Sequence, residues 1–203
     1  MSPREREHIQ KFRHWQDRQR SLLGKRMIRR VLNSYGITHL DFLCYDQYGR
    51  PFQSQKRGVD FNIAHSGNWV VCGATDGGRI GVDVEVIKPI ELDIAKYYFA
   101  AEEVRYLYQQ EEHVRPEIFY HLWTLKEAYI KAKGNTFHNP LDQFWFDITE
   151  AKTPRFHLKN QTDPHSWSFR SLFLDDHHIF SVCLPGHDPV NEPEIIRDIT
   201  ALN

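Results

Sequence analysis

The apolar period of this chain changes in blocks, and that segregation limits the fold more than any other feature. Residues 2–35 repeat at helical spacing, with Leu22, Leu23, Met27, Ile28, Val31 and Leu32 forming a stripe that stops at Gly36. Ser2-Pro3 is the expected N-cap and first helical position, and Trp15-Gln16-Asp17 a candidate break into two helices. Strand character then takes over, at 41–45, 61–65, 69–74 and 80–86, with turns at 47–51, 66–68 and 76–78. Helical segments return at 92–99, 101–110 and 116–133, the last closed by Gly134-Asn135. Four more strands are expected at 144–148, 155–158, 167–174 and 178–184. Helices and strands gathered into separate runs predict an α+β fold rather than a parallel α/β sheet. Lys88-Pro89 is the expected hinge between two halves, 1–88 and 89–203.

A chain of 203 residues is long enough for one large core or two small ones. No apolar stretch approaches the ~20 residues that span a bilayer. The first residues are too charged for a signal peptide. Cys44, Cys72 and Cys183 are odd in number and far apart, so they read as reduced thiols of a cytosolic protein, not a disulfide frame or zinc site. The net charge of −1 is unevenly spread: residues 1–36 carry ten Lys or Arg against three acids, which leaves −8 on the rest. Either that first segment faces something anionic, or its cations are good helix formers on a solvated face.

Two elements carry candidate chemistry. In the strand 80–86, Ile80, Val82, Val84 and Val86 share one face, and Gly81, Asp83 and Glu85 the other. Asp83 and Glu85 then project side by side, about 7 Å apart. Like charges that close fit a wet strand face or a bound cation, and the strand alone does not choose. In the helix 119–131, Lys126 falls in the middle of the apolar stripe, with Phe119, Leu122, Trp123, Tyr129 and Ile130 around it. A lysine there snorkels past the core or lies beside a buried anion. Glu127 and Lys131 share the adjacent flank with Tyr120 and Thr124. Together Asp83, Glu85 and Glu127 form a hard-oxygen set suited to Mg²⁺, or to Mn²⁺. Lysines beside them suit a pyrophosphate bridged to that metal, which suggests phosphoryl-type transfer without naming a substrate.

At these residues the chain resembles the Sfp-type branch of the 4'-phosphopantetheinyl transferase family. The resemblance rests on Phe61-Asn62-Ile63-Ala64-His65-Ser66, on Gly81-Val82-Asp83-Val84-Glu85, and on Trp123-Thr124-Leu125-Lys126-Glu127-Ala128-Tyr129-Ile130-Lys131. Arg20-Ser21-Leu22-Leu23-Gly24 and Gly49-Arg50-Pro51 fall where the family has similar pieces. It implies two similar subdomains related by a pseudo-twofold axis, each a helix on a small, mostly antiparallel sheet, with coenzyme A in the cleft between them. Asp83, Glu85 and Glu127 would bind Mg²⁺ with the pyrophosphate oxygens, and Lys126 and Lys131 would neutralise charge as the bridging P–O bond breaks. A serine of an apo acyl or peptidyl carrier protein would attack, with Glu127 or a metal-bound water taking its proton. Arg20, Ser21, Arg50 and His65 would hold the nucleotide phosphates. Phe61 and Trp69 read as core.

The resemblance further implies a cytoplasmic monomer without a nucleic-acid or membrane partner. Three features depart from the family: Ala64 stands where serine is usual, Arg50 replaces the commoner lysine, and the chain starts at the first helix where an opening strand and loop are usual. Two other readings are a homologue that binds coenzyme A or a carrier without turnover, and a nucleic-acid-binding module using the basic first segment.

Overall fold

The computed structural model describes residues 11–38, 43–47, 49–54, 58–134, 140–149, 154–160, 163 and 165–186. The expected Ser2 cap and the start of the 41–45 strand lie outside them. Helix α1 (Trp15–Ser34) begins at the tryptophan that the sequence marks as a break. Strands β1 (Leu43–Tyr45) and β2 (Pro51–Gln53) pair antiparallel; the expected turn at 47–51 reaches only the first residue of β2, and that strand was not expected. They are followed by the antiparallel hairpin β3 (Asp60–Ser66) and β4 (Trp69–Thr75) and by β5 (Gly81–Val86). A 3-10 turn (Leu92–Ile94) leads into the short helix α2 (Ala95–Tyr98), so the helix expected at 92–99 is split. Helices α3 (Ala101–Gln109) and α4 (Arg115–Lys133) follow. The chain continues with β6 (Phe144–Asp147), β7 (Arg155–Leu158), β8 (Trp167–Asp175) and β9 (His178–Pro185).

The result is α+β, with helices packed on small antiparallel sheets. Ile28 and Leu32 of α1 bury against Val59 and Phe61 on the β3–β4 hairpin. Helix α4 lies across the sheet ordered β5-β9-β8 and sends Leu122, Leu125 and Tyr129 into a core with Phe144, Phe146, Phe169 and Ile179. Each such side chain removed from water contributes about 1.5–3 kcal/mol before entropy, so this aromatic cluster anchors α4. Ile80, Val82 and Val84 face a second cluster with Ala64, Val71 and Phe180. Strand β5 is thus covered on both faces. No helix among the described residues is long and apolar enough to cross a membrane.

Where β3 approaches β5, side chains supply the acceptors. The N–H groups of Ile80, Val82 and Val86 donate to Asp60 Oδ2 (2.8 Å), Asn62 Oδ1 (2.8 Å) and Ser66 Oγ (3.2 Å). The intervening residues of β5 turn their N–H groups toward β9, as antiparallel alternation requires. This row ties the α1–hairpin unit to the strand that carries the two acids.

Candidate active site

The site begins at the closest approach of β5 to α4. A Cβ built on Gly81 would lie 1.8 Å from the carbonyl oxygen of Ala128 and 2.6 Å from the nitrogen of Ala132. Only a residue without a side chain lets the strand rest on the helix backbone. Two residues on, from the same face, Asp83 is 4% exposed. Its Oδ1 accepts from Lys131 Nζ at 2.6 Å, while its buried Oδ2 has no hydrogen-bond partner among the described residues. Glu85 Oε2 accepts from Ser66 Oγ at 2.7 Å. Glu127 is half-buried on α4 and makes no side-chain hydrogen bond or ion pair among the described residues. The burial of Asp83 removes the wet-face alternative for this strand.

Charge couples these groups. Burial raises the Asp83 carboxyl to about 7, with Lys131 opposing the rise and Glu85 and Glu127 adding to it. Burial raises Glu127 as well, against Lys131 and with Glu85. Asp83 and Glu127 thus share the Lys131 ammonium and repel Glu85, so among the described residues the acids outnumber the cation that neutralises them. An orphaned carboxylate oxygen in such a cluster fits a hard divalent cation. Among the described residues no three His, Cys, Asp or Glu side chains are gathered tightly enough to cage a metal by themselves. A divalent cation there would need waters or phosphate oxygens to complete its shell.

The shift of Asp83 has a definite sign. Its ordinary value is 3.8 and its folded value about 7. Between these the folded protein keeps a proton that the unfolded chain has released, so this group's contribution to stability falls as pH rises from about 4 to about 7 and levels off above. Urea unfolding in metal-free buffer should show that decline in the wild type, and Asp83→Asn should flatten it. A decline unchanged in Asp83→Asn would assign the titration to another group.

Of the groups predicted to hold phosphate, Arg20 and Ser21 lie on α1 and His65 on β3. Arg20 on α1 donates Nε and Nη2 to the carbonyl of Gly67, at 3.2 and 2.8 Å, and Nη1 to Asp17 at 3.0 Å. Partial desolvation and the charges of Arg20 and Lys131 hold His65 below its usual range, Asp17 opposing. Arg20, His65 and Lys131 are therefore within electrostatic reach in the order that links α1 to the carboxylates. The hydroxyl of Ser21, half-buried on α1, makes no hydrogen bond among the described residues.

Three expectations are corrected. Lys126 does not face the acids. Its ammonium, 0% exposed, pairs with Glu103 Oε2 at 2.8 Å and donates to the carbonyls of Leu141 and Phe144 at 2.8 Å each. All three ammonium N–H groups are thereby satisfied, and the Phe144 ring stacks under the charge at 4.4 Å. The buried-anion reading of its position in the stripe is right, but the anion is a protein carboxylate. Arg50 is likewise committed: it donates to Asp60 Oδ2 at 2.6 Å, to the carbonyls of Phe61 and Ile80, and to that of Lys131 at 2.5 Å. It clamps β3, β5 and the end of α4 together, and its remaining buried Nε has no partner among the described residues. Ala64 sits in the core with Val71 and Val84, so a serine hydroxyl there would meet packed side chains, not phosphate.

Sequence reasoning missed Glu103, Ser66, Asn62 and Asp60. Glu103 also accepts from the N–H groups of Ala100 and Phe146, tying the start of α3 to β6. Its place three residues into a helix was a visible capping signal. The alternating polar positions 60, 62 and 66 on a strand were a second signal, legible only if another strand were known to lie alongside.

Comparison with known proteins identifies the family. A family profile described as the 4'-phosphopantetheinyl transferase superfamily matches residues 79–183, and one described as 4'-phosphopantetheinyl transferase, N-terminal, matches 1–77. The 4'-phosphopantetheinyl transferase Sfp of Bacillus subtilis is 33% identical over 206 aligned positions, spanning 100% of this chain and 88% of its own. The transferase ffp of Bacillus subtilis is 35% identical over 176 positions, 81% of this chain and 78% of its own. The transferase psf-1 of Bacillus pumilus is 32% identical over 176, covering 86% and 74%.

Proposed function

The chain belongs to the 4'-phosphopantetheinyl transferase superfamily, and we propose which of its residues move 4'-phosphopantetheine from coenzyme A to a carrier protein. The protein is a transferase of that class, with coenzyme A and carrier proteins as its partners. The observation that carries the residue assignment is the buried Asp83 Oδ2, which has no hydrogen-bond partner among the described residues and lies among acids that share the Lys131 ammonium. Asp83, Glu85 and Glu127 would hold Mg²⁺, with Mn²⁺ suited to the same oxygens. The metal would stabilise the negative charge that builds on the pyrophosphate as it is cleaved.

The chain's own groups do the rest. The carrier's serine oxygen bonds to the β-phosphorus, the bond from that phosphorus to the bridging oxygen breaks, and 3',5'-ADP leaves with the electron pair. Glu127 takes the serine proton as the general base. Lys131 keeps Asp83 in place and sets a positive charge beside the transferring group. Arg20 and His65, with Ser21 next to them, hold the nucleotide phosphates. The halves 1–88 and 89–203 form the two walls, joined by the pairing of β5 with β9. We read the working form as a cytoplasmic monomer without a nucleic-acid or membrane partner; the three free thiols support the reducing compartment alone.

Incubation with coenzyme A, Mg²⁺ and a panel of apo carrier proteins, followed by intact-mass measurement, is expected to show one phosphopantetheine added per carrier. A folded protein that modifies no carrier in the panel would overturn the reading.

A further inference from the structure

The guanidinium of Arg20 is aimed by a residue that the chain supplies 158 positions later. Three of its five N–H donors are spent on Gly67 O and Asp17, so the direction of the other two depends on where the Gly67 carbonyl sits. Gly67 opens the two-residue turn between β3 and β4, with φ of 53°. A Cβ built there would come within 2.4 Å of His178 Nε2, so the turn rests directly against that imidazole.

His178 is itself locked. It is 6% exposed, and its Nδ1 bonds to Asp175 Oδ1 at 2.8 Å and lies 3.1 Å from Oδ2. Asp175 also accepts the indole N–H of Trp69 at 2.7 Å, and Trp69 is the first residue of β4 after the same turn. The Trp69 and His178 rings meet edge-on, 6.5 Å between centroids. The β8–β9 turn therefore grips the β3–β4 turn at two points, an indole N–H on one side and an imidazole on the other. His178 Nε2 is buried and has no hydrogen-bond partner among the described residues. Its polar edge is held against a glycine instead of in water, and no step of the chemistry above uses it.

We infer that the Trp69–Asp175–His178 cluster is a positioning device for Arg20, so that the β8–β9 turn sets the protein's affinity for the nucleotide phosphates while leaving the carboxylate site alone. This rests on the reading that Arg20 touches those phosphates. The contact also assigns Gly67 its role: a side chain at that turn would displace the imidazole and the carbonyl that orients Arg20.

The test is a double-mutant cycle read by calorimetric titration with 3',5'-ADP in Mg²⁺ buffer. Arg20→Ala is expected to weaken binding about tenfold, as loss of charge-assisted hydrogen bonds does. His178→Ala is expected to weaken it about fivefold, with kcat for carrier loading within about twofold of wild type and the change confined to KM for coenzyme A. In the Arg20→Ala background, His178→Ala should have no further effect. Trp69→Phe, which keeps an aromatic ring but loses the N–H and part of the indole's packing, provides the same cycle in a gentler form should His178→Ala fail to fold. Additive losses in both cycles, or full affinity in His178→Ala and Trp69→Phe beside a weakened Arg20→Ala, would overturn the inference and leave the Arg20 assignment standing. Unchanged binding in Arg20→Ala would overturn that assignment and the inference with it.

Discussion

Glu127→Ala is expected to reduce carrier loading by about 10³-fold, the scale of a lost general base, without lowering the melting temperature. The two halves of this expectation come from the same geometry. Glu127 is half-buried, its carboxylate accepts no hydrogen bond and forms no ion pair among the described residues, and it raises the cost of ionising Asp83. Removing it deletes a desolvated charge and a source of repulsion, so stability should hold or rise slightly, as at many sites where function is kept against stability. Thermal unfolding in metal-free buffer and single-turnover loading of an apo carrier check the two halves separately. Full loading activity in Glu127→Ala would remove this residue from both the metal set and the proton transfer. A large drop in melting temperature would show that its carboxylate is structural.

Gly81→Ala should act in the opposite way, through the fold. The added Cβ would fall 1.8 Å from Ala128 O and 2.6 Å from Ala132 N, both backbone atoms of a helix held by its own hydrogen bonds. Neither can swing aside as a flexible side chain would, so β5 and α4 must separate. Overpacking of this kind costs about 3 kcal/mol or more. At ~2–4 °C per kcal/mol in a protein of this size, the melting temperature should fall by roughly 10 °C. Such a separation also moves Asp83 and Glu85 away from Glu127 and Lys131, so whatever fraction stays folded should load carriers poorly. A melting temperature within ~2 °C of wild type would mean that the strand and helix pack less tightly than described.

These two results divide along the line between what was legible in the residues and what was not. The block order of periods led to an α+β chain, and the β3–β4, β5, α3 and α4 segments fall within a residue or two of their expected positions. Missed was β2, a three-residue strand too short to show a period. Placing Asp83 and Glu85 on one strand face and Glu127 on one helix flank followed from a strand of period two and a helix of period 3.6. Joining the two elements into one metal set is what the family resemblance implies. The placement is local, since periodicity is set by backbone geometry a few residues at a time.

Partner choice is not local. Lys126 was identifiable as a charge in an apolar stripe, but its neutralising anion proved to be Glu103, brought in by a separate helix. Arg50 and Lys131 are both cations near the site, yet one is spent on a carboxylate and main-chain carbonyls and the other reaches a buried acid. Likewise, nothing near Arg20 in sequence announces that Gly67 and His178 determine its direction. By itself the sequence determined the class of fold and the faces of its elements, with the acids each face carries, because these follow from short-range spacing. Only the tertiary structure decided which charges remain available for chemistry, because a buried cation is neutralised by whatever acceptor the packing brings within about 3 Å.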